Sequence, residues 1–201
     1  MMEPQNEQRP AGRPGAATSL TDNLAAHIIT KPNVYLAGKI GKNDWRHDLV
    51  PGLRGRTWSD GPIITPAYQY FGPFFVSCSH GCQHGPNQHG AIGREDCCES
   101  IITRQQTIEN NKAAIDKANL IFAYITATDC HGTLFEIGYA SALGKRIIVA
   151  FAPEIDAADF WFSALQCHAV YHSVRPCCLQ TIFADEIRKA TAPVRRRRAP
   201  C

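Results

Sequence analysis

The sequence of 201 residues contains no run of about 18 or more apolar residues, which excludes a membrane-spanning helix by length. Its opening, MMEPQNEQRPAGRPGAATSL, lacks the apolar middle of a secretion signal, and residues 1–30 read as a disordered leader. Internal repeats are absent. Charge of one sign is also scarce. The net charge is +3, but taking away the four consecutive arginines Arg195–Arg198 leaves a body at −1. Basic residues gathered in a tail (192–201) are a solvated chain end, whereas a nucleic-acid footprint spreads over a folded face, so no nucleic-acid or membrane partner is expected.

Cysteine, by contrast, is plentiful. There are nine, an odd number without an export signal, which points to reduced thiols in a cytoplasm and not to a disulfide framework. With 44% hydrophobic and 19% charged residues, the chain can bury one sizeable core, expected over 31–191.

The pattern along that core is alternating. Asn33–Gly38 (NVYLAG) is a short buried strand ending in glycine, and PIITP at 62–66 holds a brief strand between prolines. Residues 68–98 have no clear period and read as a long inserted loop rich in Gly, His and Cys. Apolar positions at Ile101, Ile102, Ile108, Ala113, Ala114 and Ile115 predict a helix over 99–117 with one buried face. NLIFAYIT (119–126) and RIIVAFA (146–152) are near-continuous apolar runs, as in strands covered on both faces. Helices over 133–143, 157–165 and 179–190 and a strand over 169–172 complete an α/β chain. The fold class is a single doubly wound (Rossmann/flavodoxin-like) parallel sheet of about five strands.

One carboxylate stands out in DCHGTLFEIGYASALGK (129–145). If Thr133 is the N-cap, Glu136 closes a T-x-x-E capping box. The helix also follows a buried strand, so its start lies at the carboxyl edge of the sheet, where open α/β sheets place ligands. There Glu136, with Tyr139 on its stripe, is a candidate nucleophile.

VYLAG at 34–38, a helix, a strand and then G-T-x-x-E-I-G-Y-A-x-A-x-G-K resemble the nucleoside 2-deoxyribosyltransferases and related nucleotide N-glycosidases over about 33–153. The resemblance implies a nucleophilic glutamate at Glu136, oriented by Tyr35, and a substrate border formed by Gly38 and the loop after it, with Gly132 and Thr133 in the matching block. It implies a small-molecule nucleoside or nucleotide substrate, no cofactor, and a homodimer or larger homo-oligomer whose neighbouring subunit completes the pocket. Asn111 stands where the family has an aspartate, and Asp129 is one residue further from the glycine than expected. Either is placed to contact the leaving base. Whether the base is transferred, the bond is hydrolysed, or a nucleotide is bound without reaction stays open.

Two loops carry further candidates. In GKIGKNDWR, Lys39, Lys42 and Arg46 suit a 5′-phosphate, or else form a solvated surface. Cys78, His80, Cys82 and His84 have zinc-like spacing without a second pair to complete a site. Alternatively their loop reaches over the pocket, where Phe74, Phe75 or Tyr70 stacks on a base.

Overall fold

The computed structural model describes residues 31–40, 45–54, 56, 58–74 and 104–192. The leader, Lys42, Phe75, the zinc-spaced Cys78, His80, Cys82 and His84, and Arg195–Arg198 lie outside them.

Among the described residues six strands form one sheet: β1 (Asn33–Ala37), β2 (Ile63–Ile64), β3 (Gln69–Gly72), β4 (Leu120–Ile125), β5 (Arg146–Phe151) and β6 (Ala169–Tyr171). Their order is β2-β3-β1-β4-β5-β6. Only β2 runs antiparallel, against β3 at the edge. The five parallel strands, numbered by their own sequence order, therefore lie 2-1-3-4-5, the flavodoxin-like arrangement. The strand β3 was not foreseen. Its four residues QYFG are too few to show a period, and they fall at the start of the segment read as an inserted loop.

The apolar runs behave as their composition requires. All six residues of β4 are buried, because helices cover both faces. One face carries Leu36, Phe122, Tyr124 and Ile148 against α5 (Pro176–Thr191) and the short α1 (Arg46–Leu49). The other carries Tyr35, Ala37, Ile121, Ala123 and Val149 against α2 (Arg104–Lys117) and α3 (His131–Ala142). A 3-10 turn at Ala157–Phe160 leads into a single helical turn, α4 (Trp161–Ala164). Within α2 only Ala114 and Ile115 are fully buried. Of the other positions expected on the buried face, Ile108 is 48% exposed and Ala113 is exposed, and Ile101 and Ile102 lie outside the described residues.

Helix α3 departs from expectation at its start and keeps to it at its end. It begins at His131 with Cys130 as N-cap and no side-chain cap bond. Thr133 is thus inside the first turn and buried, and Glu136 is too far along for a capping box. At the other end Gly144 (φ +65°) donates to Ser141 O at 2.9 Å and Lys145 N to Ala140 O at 3.0 Å, a Schellman cap that needs a left-handed residue. Helix α5 starts earlier than expected, because Pro176 fits the first helical position.

Candidate active site

The switch point of this sheet lies between β1 and β4, which are hydrogen-bonded neighbours whose connections leave in opposite directions along the sheet. Tyr35 sits mid-β1 beside Ile121 of β4 and turns its ring to the α2/α3 face, where it is fully buried. Its hydroxyl donates to Glu136 Oε1 at 2.5 Å. Asn111, on α2, donates from Nδ2 to the same oxygen at 3.1 Å. One carboxylate oxygen is therefore held from a strand and a helix. The other, Oε2, takes no hydrogen bond from the described residues.

A tie between the two helices fixes this arrangement. Tyr139, one turn after Glu136, donates to Asp116 Oδ1 at 2.9 Å, and Lys145 Nζ donates to Asp116 O at 2.6 Å. The Lys112 ammonium lies 5.4 Å from the centre of the Tyr139 ring. Helix α2, and Asn111 with it, is thereby set against α3.

The electrostatics of Glu136 follow from burial and its neighbours. Burial pushes its carboxyl up from the ordinary 4.5 to about 7, although the Tyr35 hydroxyl, the Arg46 charge and the Asn111 amide all favour the ionised form. Burial, then the adjacent Glu136 charge, holds the Tyr35 phenol well above its usual range, so Tyr35 remains a neutral donor.

The loops after β1 and β4 meet above this floor. Lys39 Nζ contacts both Asp129 oxygens at 2.6 Å, and that bond holds the Asp129 carboxyl below its ordinary range. Asp129 is thus a carboxylate and a hydrogen-bond acceptor, not a proton donor. Gly38 is required where it stands. At φ +155° its Cβ would lie 2.8 Å from Tyr124 O. Gly132, by contrast, is exposed with open space around it.

Two expectations fail here. Arg46 is fully buried and does not face a phosphate. Its Nε donates to Leu36 O at 2.9 Å and Nη2 to Gly38 O at 2.7 Å, with the guanidinium 4.6 Å from the Trp45 ring centre. It ties α1 to the end of β1 and places a cation beneath the site. Phe74 is also buried, edge-on to Trp58 and Tyr70 at 5.2 Å each, so it belongs to the core and not to a stacking platform. Tyr70 is buried too and donates to Pro73 O.

A separate groove of about 510 Å³ runs along the opposite flank of α3, lined by His131, Leu134, Ile137, Phe160, Phe162 and Gln166. It does not include Glu136, and its apolar walls carry none of the groups just described. No group of three or more His, Cys, Asp or Glu among the described residues is arranged to hold a metal ion. No helix among them is long and apolar enough to cross a membrane.

Compared with known families, residues 34–160 match the model for nucleoside 2-deoxyribosyltransferase. No curated protein matches the chain.

Proposed function

The chain belongs to the nucleoside 2-deoxyribosyltransferase family, and from that membership we propose that it breaks the N-glycosidic bond of a nucleoside or nucleotide with Glu136 as nucleophile. The observation that carries the reading is the asymmetry of the Glu136 carboxylate. Oε1 is fixed by Tyr35 and Asn111, while Oε2, at the sheet's switch point, takes no hydrogen bond from the described residues. Oε2 attacks C1′ as the C1′–N bond lengthens through an oxocarbenium-like state. The bonding pair leaves with the base, which takes a proton from water, and a glycosyl ester of Glu136 remains. A second base or a water molecule then attacks C1′, gives up its proton to the hydroxide left by the first step, and releases the carboxylate. The anomeric configuration is retained over the two displacements.

Other groups take supporting roles in this proposal. Tyr35 orients the carboxylate and stabilises its charge. Asp129, ionised beside Lys39, accepts from an N–H of the base, and Gly38, Lys39, Gly132 and Thr133 border the substrate. With Arg46 committed to the main chain, a 5′-phosphate has Lys39 as its cation among the described residues. A cytoplasmic location and a homodimer or larger homo-oligomer belong to the same reading.

The test is incubation of the full chain with a panel of nucleosides, 5′-mononucleotides and NAD, with and without an acceptor base, followed by chromatography. Free base, or an exchanged nucleoside when acceptor is present, is the expected product. A second reading, a nucleotide-binding module without catalysis, is favoured by the neutral Asn111 in place of a carboxylate. Tight nucleotide binding by calorimetry with no base released on long incubation decides for that module.

A further inference from the structure

Asn111 lies one hydrogen bond from the nucleophile, and its amide has a fixed polarity. An ionised Glu136 only accepts, so Nδ2 must face it, as it does at 3.1 Å. The other end of the amide is then an acceptor. Asn111 Oδ1 is buried and has no hydrogen-bond partner among the described residues. A buried acceptor without a donor is unfavourable, and a ligand that brings one gains affinity from it.

The chemistry around C1′ decides which ligand group that is. The glycosidic nitrogen of a common base is flanked by an acceptor, N3 of a purine or O2 of a pyrimidine, and by a C–H. No base therefore offers an N–H beside the breaking bond. The ring oxygen of the sugar is also an acceptor. The remaining neighbour of C1′ is C2′, which carries a donor only in ribose. In a β-nucleoside that 2′-hydroxyl projects from the face opposite the base, the face from which Glu136 approaches C1′. Asn111 is hydrogen-bonded to the carboxylate against which the sugar is seated, so the 2′-hydroxyl is the substrate donor nearest Oδ1; that atom is buried, and the contact forms only as the bound sugar displaces what covers it.

We propose that Asn111 determines specificity at the 2′ position: its Oδ1 accepts from the 2′-hydroxyl, and the sugar taken by this chain is ribose, in contrast to the 2-deoxyribose of the family's description. The inference rests on Glu136 being the nucleophile and goes beyond that reading by naming the sugar. A hydrogen bond from the 2′-hydroxyl that strengthens as the oxocarbenium character develops also lowers the barrier. Without such a contact the electron-withdrawing hydroxyl slows departure of the base, so a site indifferent to the 2′ position cleaves the deoxy substrate faster.

Matched ribo and 2′-deoxyribo pairs of nucleosides and 5′-monophosphates test the proposal through kcat/KM for base release, with the full-length chain and with Asn111→Ala. The expected ratio favours ribose at least tenfold in the wild type and falls to one or below in Asn111→Ala, the loss falling on the ribose substrates. A wild-type ratio of one or below, or a ratio unchanged by Asn111→Ala, overturns the assignment and leaves Glu136 as nucleophile untouched. No base release from either series removes both. If Asn111→Ala does not fold, the isosteric Asn111→Leu replaces it, and a wild-type ratio of one or below still overturns the proposal.

Discussion

Glu136 is buried enough to resist ionisation and hydrogen-bonded in a way that favours it, and the balance sets both activity and stability. As a nucleophile it must be ionised, so kcat/KM for base release is expected to rise with pH through an inflection near 7. The Tyr35 bond favours the charged form. Tyr35→Phe should therefore move that inflection to higher pH as well as lower the rate, and an unmoved inflection would remove Tyr35 from the orienting role. The stability consequence has the opposite sign from that of a salt-bridged acid. Because the folded carboxyl sits at about 7 against an ordinary 4.5, the folded state binds the proton more tightly than the unfolded one. Stability is then lost as pH rises from 4.5 through 7. Glu136→Gln should be more stable than the wild type at pH 8, by up to about 3 kcal/mol, with the difference shrinking towards pH 4.5. Urea unfolding at the two pH values measures it. Glu136, Tyr35, Asn111 and Asp129 were legible as candidates because each falls in a quotable motif or at a set distance from one. Burial of Arg46 and Phe74 was not, since a basic or aromatic residue in a loop looks the same in sequence whether it faces solvent or main-chain carbonyls.

At the scale of elements, the site depends on where β1 and α3 end. Gly38 and Gly144 both have positive φ, but they differ in surroundings. Only at Gly38 would a side chain meet backbone, at 2.8 Å from Tyr124 O. Gly144→Ala is expected to cost about 1 kcal/mol by the left-handed penalty and to leave base release within a few-fold. Gly38→Ala should cost more and reduce base release, since Lys39 and the Arg46 anchor leave the strand at that point. Thermal unfolding and rate measurements on the two variants separate these outcomes. Strands β1, β4 and β5 were readable from their unbroken apolar runs, and the end of α3 from its glycine. Its beginning was misread. T-x-x-E is a capping signal only if the helix starts at the threonine, and here the turn at Asp129–Cys130 starts it two residues before Thr133.

For the whole molecule, the parallel order 2-1-3-4-5 brings residues about one hundred apart, Tyr35 and Glu136, to the same point. Alternating strand and helix signals made the parallel sheet and its carboxyl edge legible, whereas the strand order, and with it the switch point, came from the structure. Strand β3 and the groove beside α4 were not legible, because a four-residue strand shows no period of its own and the groove depends on which segments become neighbours. Trp161, Phe162 and Leu165 stand 61–76% exposed next to that groove. With the proposed homo-oligomer, light scattering should give a mass above the 22.2 kDa of one chain. A monomer at micromolar concentration would place the complete pocket within one chain.

In the proposed mechanism Oε2 of Glu136 forms a bond to the sugar. Base release by Glu136→Gln, compared with the wild type on whichever substrate of the panel is cleaved, tests it most directly. Loss of at least about a thousandfold in kcat with native circular dichroism is the expected result. A folded variant within tenfold of the wild type would contradict the account.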